Sequence, residues 1–261
     1  MKTNLRLNAV AQTDIGQHSE KNEDSIFFQV ADKATAALLI VADGMGGHLA
    51  GEQASQMVIE TVASALVPWL DKEDAQPSEQ LTAEIEGALY TAVQQANQIV
   101  YNYAQENLDY GANMGSTVTC TFIHRGTAYI ANVGDSRTYL YRQGHLYRIS
   151  EDHSLVERFV QEGIISDHTR YDHPARNVVT RAIGPQPKIA IDLFACDLEA
   201  DDYLLLCSDG LWEMLRGDET IAHHLQTAND LSTISQNLIN AANEAGGDDN
   251  ISVVLAHYFT A

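Results

Sequence analysis

The stretch Ala36-Ala37-Leu38-Leu39-Ile40-Val41-Ala42-Asp43-Gly44-Met45-Gly46-Gly47-His48 carries the main indication of the fold. An unbroken apolar run followed by glycines is typical of a strand that is buried on both faces. An aspartate directly after such a strand lies at a sheet edge, where loops place functional groups. The glycines allow a tight turn and a close approach of the backbone to a ligand. A strand-to-helix turn with an aspartate cap and a surface histidine explains this segment equally well.

Outward from this strand, the chain alternates blocks of strands with blocks of helix. The patterns predict strands at 5–13, 25–30, 36–42, 189–194, 203–207 and 251–258, several short strands within 115–149, and helices at 54–66, 81–103 and 231–245. Strands joined by short turns favour antiparallel sheets, and helix blocks can cover the outer faces of such sheets. Without a Pro/Ser/Gly linker or an internal repeat, we expect one domain.

The composition excludes two classes of partner. The chain has 36 Asp and Glu against 15 Lys and Arg, a net charge of −21. Such an acidic protein repels nucleic acid and anionic membrane surfaces. The N-terminus has no signal-peptide pattern, and the longest apolar run, 36–42, is far below the roughly 20 residues of a membrane span. We therefore expect a cytoplasmic protein that binds neither nucleic acid nor membrane.

The pattern of apolar strand, aspartate and turn recurs along the chain. It is found at Val133-Gly134-Asp135-Ser136-Arg137 and at Leu206-Cys207-Ser208-Asp209-Gly210. Two further carboxylate pairs precede strands, in Asn22-Glu23-Asp24 and in Asp248-Asp249-Asn250. Each aspartate alone could be a turn or cap residue. If the strands share sheets, however, the carboxylates converge, and carboxylates with water are the ligands that Mg²⁺ and Mn²⁺ prefer.

These segments together resemble the metal-dependent serine/threonine phosphatases of the phosphatase 2C, or PPM-type, family in its compact bacterial form. The motifs occur in the family's order from Thr13-Asp14-Ile15-Gly16 to Asp249-Asn250-Ile251-Ser252. The resemblance implies an α+β fold, namely a four-layer α-β-β-α sandwich in which two central antiparallel sheets are flanked by helix pairs. It also implies that residues 5–259 form a single phosphatase domain.

The resemblance further implies a site and a reaction. Two tightly bound Mg²⁺ or Mn²⁺ ions would be held by Asp43, the carbonyl of Gly44, Asp209 and Asp249, with Asp24 acting through water and Asp135 helping to hold a third, weaker ion. Water bridged between the two ions would hydrolyse phosphoserine or phosphothreonine monoesters on proteins, and His48 would be the general acid. A substrate-binding role is expected for Ser19, His173 and Asn250. The partner would be a phosphoprotein, the opposing enzyme a serine/threonine kinase, and the protein a monomer.

One position departs from the family pattern. Ser19 occupies the place where the family usually carries an arginine that clamps the substrate phosphate, and a serine cannot make that bidentate charged contact. Lys21 or His18 could replace it in part. A second hypothesis concerns the seven arginines between Arg137 and Arg181, which face only six acids in that window. We expect them to weaken the acidic field where a phosphoprotein docks, although ordinary surface arginines would look the same.

Two other functional interpretations remain for comparison. The missing arginine is compatible with a catalytically weak member of the family that binds phosphoproteins. A plain Ca²⁺-binding protein is disfavoured because the sequence has no D-x-D-x-D-G loop closed by glutamate. Cys120 and Cys207 lie within apolar runs, and we expect both to be buried structural thiols rather than nucleophiles.

Overall fold

The computed structural model describes residues 5–47, 49–73, 75–107, 114–228 and 230–260. Its strands are β1 (Leu5–Asp14), β2 (Asp24–Val30), β3 (Ala36–Met45), β4 (Gly115–Ser116), β5 (Val118–His124), β6 (Thr127–Val133), β7 (Arg137–Arg142), β8 (His145–Arg148), β9 (Asp192–Asp197), β10 (Asp202–Cys207) and β11 (Ile251–Thr260). Its α-helices are α1 (Leu49–Leu66), α2 (Glu79–Glu106), α3 (Leu155–Gln161), α4 (Asp209–Leu215), α5 (Asp218–Leu225) and α6 (Leu231–Glu244). Short 3₁₀ helices cover Val67–Lys72 and Asp167–Asp172.

The strands form two antiparallel sheets. One has the order β1-β11-β10-β7-β8, and the other has the order β2-β3-β5-β6-β9 with β4 paired to β3. Neighbours along the chain, such as β2 and β3 or β5 and β6, pair through short turns, as the sequence predicts. The turn between β5 and β6 contains Arg125 and Gly126, both with positive φ.

Strand β3 explains why the sheets stack. Because successive side chains point to opposite faces, its apolar run serves two cores at once. Leu38 and Ile40 pack against α1 and α2, whereas Leu39 and Val41 pack against the other sheet. All four are fully buried, and full burial of each such side chain contributes about 1.5–3 kcal/mol.

The helices cover the two outer faces. Helices α1 and α2 share a hydrophobic cluster with β3, β5 and β6, while α4, α5 and α6 share another with β7, β10 and β11. Helix α2 begins where the Ser78 hydroxyl accepts a hydrogen bond from the Leu81 amide, and Ile85, Leu89 and Val93 follow on its buried face. The predicted four-layer α-β-β-α sandwich is confirmed.

The structure also differs locally from the sequence prediction. The strand expected at 189–194 begins at Asp192, and α1 starts five residues before the predicted Ala54. Helices α3, α4 and α5 were missed, since seven or eight residues show too little periodicity to reveal a helix. Among the described residues, no helix is long and apolar enough to cross a membrane.

Candidate active site

Two of the predicted aspartates face each other at the end of the β2–β3 pair. Asp24 opens β2 and lies directly opposite Asp43 in the register. Asp24 is 8 % exposed, and its Oδ2 accepts a hydrogen bond of 2.7 Å from the Ser208 hydroxyl. The Oδ1 of Asp24 is buried and has no hydrogen-bond partner among the residues that the structure describes. The hairpin therefore brings two carboxylates to one sheet end.

Asp209 and Asp249 reach this end from the other sheet. Asp209 begins α4 immediately after β10, and Asp249 precedes β11. The Ser208 hydroxyl also accepts a hydrogen bond of 3.0 Å from the Ser252 amide, which ties the start of α4 to β11. Asp249 is exposed, and its Oδ1 accepts the amide of Asn250 at 2.7 Å. Like that of Asp24, the Oδ1 of Asp209 is buried and has no hydrogen-bond partner in the described part of the chain.

Asp135 lies in the loop between β6 and β7, which is held on two sides. The Gly134 amide donates to Nδ1 of His153 at 3.0 Å, and the indole of Trp212 donates to the Asp135 carbonyl at 3.0 Å. Nε2 of His153 lies 3.0 Å from an oxygen of Asp192, which favours the tautomer in which Nδ1 is the acceptor. The loop carrying Asp135 is thus fixed by side chains from both of its flanks.

Thr117 joins the Asp43 segment to the Asp135 loop. Its Oγ1 accepts the Asp43 amide at 3.0 Å and lies 2.7 Å from the Ser136 hydroxyl. Its own amide donates to the Asp43 carbonyl at 2.8 Å. Thr117 is 1 % exposed. A single hydroxyl therefore connects segments of the two sheets that carry predicted ligands.

The buried carboxylates oppose one another electrostatically. Burial raises the pKa of Asp24 to about 7, with a contribution from Asp249. Burial also raises the pKa of Asp135 to about 7, with Asp152 adding to the effect. The pKa values of Asp43 and Asp209 are held well above the ordinary range by burial and then by the neighbouring aspartates. Like charges that are kept this close in a protein interior require a cation or protons.

Four of the predicted aspartates, Asp43, Asp135, Asp209 and Asp249, line an open cavity of about 730 Å³, whereas Asp24 is not among its described lining residues. Its lining residues among those described are Ser19, Glu20, Lys21, Glu23, Asp43, Gly44, Met45, Thr117, Asp135, Asn177, Val178, Val179, Asp209, Asp249 and Asn250. At Gly44, a Cβ atom would overlap the Gly51 carbonyl and lie 2.6 Å from the carbonyl oxygen of Glu23. Only glycine fits there, and Gly44 itself lines the cavity directly after Asp43.

The donor set suits a hard divalent cation. It consists of oxygens alone, and two of its buried carboxylate oxygens have no hydrogen-bond partner within the described ranges. No group of three His, Cys, Asp or Glu side chains within the described ranges is close enough to enclose an ion by itself. Mg²⁺ normally keeps several waters and takes only one or two carboxylates, so this looser arrangement still fits it.

The remaining predicted site residues have different outcomes. His48 lies outside the described residues. Ser19 lies on the cavity wall, as expected for a substrate contact. His173 is not among the described lining residues: its Nδ1 accepts the Ala175 amide at 3.1 Å and its ring packs on Phe159.

Asn250 lines the cavity, but its amide group is fully engaged elsewhere. Its Nδ2 donates to the carbonyls of Ile15 and Lys21, both at 2.9 Å, and its Oδ1 accepts the Glu23 amide at 2.7 Å. A side chain with all these bonds has little capacity left for a ligand. The expectation that Asn250 binds substrate is therefore replaced by a structural role, in which it holds the 15–23 loop beside Asp249.

The arginine hypothesis is wrong for two of its members. Arg137 and Arg170 are buried, at 3 % and 2 % exposure, and both contact Asp152. Arg170 and the half-buried Arg148 also bind Glu157, each at 2.9 Å. The guanidiniums of Arg137 and Arg170 therefore neutralise buried acids and are not on the surface where a protein would dock.

Sequence reasoning missed Thr117 and Ser208. Thr117 belongs to the run Gly115-Ser116-Thr117-Val118-Thr119, where hydroxyl residues enter an otherwise apolar strand. Hydroxyls in a strand this apolar need partners when buried, and that was the available signal. Their hydrogen-bond partners lie on other segments of the chain, which the sequence does not reveal.

Comparison with known proteins agrees with this geometry. The family model described as protein phosphatase 2C matches residues 14–252. The serine/threonine phosphatase stp of Listeria welshimeri is 37 % identical over 251 residues, covering 95 % of each chain. The protein phosphatase PhpP of Streptococcus pneumoniae is 34 % identical, covering 93 % of this chain and 94 % of its own.

Solved structures show the same similarity. The S. agalactiae serine/threonine phosphatase superposes with a TM-score of 0.84 at 35 % identity, covering 96 % of this chain and 99 % of its own. The catalytic domain of the serine/threonine protein phosphatase PstP, solved with two manganese ions, superposes with a TM-score of 0.80 at 32 % identity, covering 98 % of this chain and 99 % of its own. The chain belongs to the protein phosphatase 2C family, the PPM-type metal-dependent serine/threonine protein phosphatases.

Proposed function

We propose that this protein hydrolyses phosphoserine and phosphothreonine monoesters on proteins with Mg²⁺ or Mn²⁺ as cofactor. The observation that carries the proposal is the convergence of aspartates from both sheets on one open cavity, where the buried Oδ1 of Asp209 has no hydrogen-bond partner among the described residues. Asp43, the Gly44 carbonyl, Asp209 and Asp249 would hold two ions. Asp24 would act through water, and Asp135 would help to hold a weaker third ion.

Different residues of the chain would have different roles in this reaction. When bound, two divalent ions lower the pKa of a shared water and neutralise charge on the phosphoryl oxygens. The carboxylates would fix the positions of the ions. Ser208 and Thr117 hold two of the segments that carry these carboxylates. His48 would protonate the departing serine or threonine alkoxide, since imidazole titrates near neutral pH. If so, His48→Gln slows hydrolysis of an alkyl phosphate far more than of nitrophenyl phosphate; equal losses contradict that role.

The cysteines support a water nucleophile over a thiol. Burial raises the pKa values of Cys120 and Cys207 well above the ordinary range, and that of the half-buried Cys196 to about 11. None of the three cysteines is among the described residues that line the cavity. A thiolate phospho-enzyme would need a low pKa and access to substrate.

The test is hydrolysis of a phosphoserine peptide with Mn²⁺, with chelator, and with the Asp209→Asn variant. We expect turnover to be lost with the chelator and in the variant, and retained in the control Asp201→Asn, whose side chain is 87 % exposed. Without metal, Asp209→Asn should melt at a higher temperature than wild type, because it removes one of the mutually repelling charges. Mn²⁺ should raise the melting temperature of Asp209→Asn less than it raises that of wild type.

Metal binding by wild type without turnover would overturn the proposal in favour of a phosphoprotein-binding module. For the active enzyme we further propose a monomer that opposes a serine/threonine kinase. The cavity, with its carboxylates, is formed within one chain, which supports the monomer.

A further inference from the structure

The charges around the cavity are unbalanced. Its lining contains six carboxylates, from Glu20, Glu23, Asp43, Asp135, Asp209 and Asp249. Lys21 is the single cationic side chain among the described lining residues. A phosphate monoester dianion entering this cavity would therefore find one protein cation beside the metal-binding carboxylates.

The backbone of Lys21 is held in place beside the metal-binding end of the cavity. Its carbonyl accepts a hydrogen bond of 2.9 Å from Nδ2 of Asn250, and Oδ1 of Asn250 accepts one of 2.7 Å from the Glu23 amide. Asn250 is 4 % exposed and directly follows Asp249. One buried amide thus fixes the distance between the Lys21 backbone and a predicted metal ligand.

The side chain of Lys21 is available for a ligand. It is exposed, and within the described part of the chain no acid lies within ion-pair distance of it. The neighbouring candidates are less suited. His18 is directed to Asp248, with 3.9 Å between Nε2 and Oδ1, and does not line the cavity, whereas Ser19 lines it but carries no charge.

We propose that Lys21 binds the phosphoryl group of the substrate and the orthophosphate product. The inference rests on the proposed phosphatase function and names a residue that meets its substrate. An ammonium is a point charge that needs no fixed fork geometry, so it can act from the 19–23 loop where Ser19 cannot. It should contribute to binding rather than to the chemical step.

The experiment compares wild type, Lys21→Met, Lys21→Arg and the control Lys188→Met, a lysine that is exposed and away from the cavity. Binding of inorganic phosphate to the Mn²⁺-loaded protein is measured by calorimetry, and KM and kcat are measured for a phosphoserine peptide. We expect Lys21→Met to weaken phosphate binding and raise KM by about tenfold, the effect of one charged hydrogen bond, with kcat nearly unchanged. Lys21→Arg and Lys188→Met should remain within about twofold of wild type by the same reasoning.

The outcomes separate this inference from the function on which it rests. Equal phosphate affinity in wild type and Lys21→Met overturns the role of Lys21, as does a wild type that binds no phosphate with Mn²⁺ present. Phosphate binding that depends on Lys21, in a protein that hydrolyses no phosphopeptide, leaves the inference standing and overturns the proposed function. Melting temperatures of all variants, expected to match wild type, show that any loss of binding is local.

Discussion

Replacing Thr117 by valine tests whether one hydroxyl positions the metal-binding segments. Valine has nearly the same shape, so the change removes hydrogen bonds and leaves the packing intact. The Asp43 amide would lose its partner at 3.0 Å and the Ser136 hydroxyl its partner at 2.7 Å. A buried group left unsatisfied costs about 1–3 kcal/mol, so with two such groups we expect the free energy of unfolding to fall by about 2–6 kcal/mol.

The chain provides a matched control two residues away. Thr119 is fully buried and forms the same kind of hydroxyl pair between the sheets, with Thr138 at 2.7 Å. It holds no backbone amide of a predicted ligand, so Thr119→Val should cost only about 1 kcal/mol. Thr117→Ser keeps the hydroxyl and should retain the bonds to Asp43 and Ser136.

Two measurements decide the outcome. Urea unfolding in chelator gives the stability of each variant, and calorimetric Mn²⁺ titration gives its metal affinity. We expect Thr117→Val to weaken Mn²⁺ binding about tenfold, the lower end of the effect of losing a group that orients a ligand, and Thr119→Val to leave it unchanged. Equal stability losses in the two valine variants with equal Mn²⁺ affinity would refute the positioning role of Thr117.

Two further substitutions test the packing beneath the site and its dependence on pH. Gly210→Ala would push a methyl group into the Asn250 carbonyl oxygen, and it should cost about 1–3 kcal/mol of stability together with most Mn²⁺-dependent activity. Gly87→Ala, with open space around it, should be neutral or stabilising. Equal melting temperatures of the two variants would contradict the close approach at Gly210. At Glu157 burial alone would raise the pKa, but its two arginine partners outweigh burial and lower the pKa below its ordinary 4.5. The stability that Glu157 contributes is therefore fully present above pH 4.5 and is lost as the pH falls through the lowered pKa. Wild type and Glu157→Gln should then differ in melting temperature near neutrality and converge in acid. A difference in melting temperature that stays constant with pH would exclude this linkage. Glu162→Gln, at an exposed ion pair, should show almost no gap at any pH.

The predictable parts of the site were those written in local sequence. The apolar run before Asp43 fixed a buried strand, and the repeated pattern of strand, aspartate and turn indicated which carboxylates would meet. The glycine after Asp43 was also interpretable, because the close backbone approach that excludes a Cβ at Gly44 follows from the crowded turn. These features depend on neighbours within a few positions of the chain.

The parts that were wrong or missed depend on contacts between distant segments. Asn250 follows a predicted ligand, yet its amide is engaged by backbone groups more than 220 positions earlier in the chain. From the sequence, Arg170 is expected to be a surface cation, but it is buried against Asp152 and Glu157. Thr117 and Ser208 acquire their roles only when segments far apart in the chain come together. A local pattern can indicate that a strand is buried on both faces, but it does not specify which distant side chains become hydrogen-bond partners.

The excess of carboxylates around the cavity has a consequence for the order of events during turnover. A phosphoprotein that arrives before the cations meets the carboxyl groups of six acids and, among the described lining residues, one ammonium. The carboxyl groups that are ionised repel it, and Coulomb repulsion within a cavity is screened less than at the open surface. Loading must therefore be sequential, with cations first and phosphoprotein second. Initial rates should then follow a compulsory-order pattern, in which the concentration of free metal limits how fast substrate is captured as well as how fast it is hydrolysed.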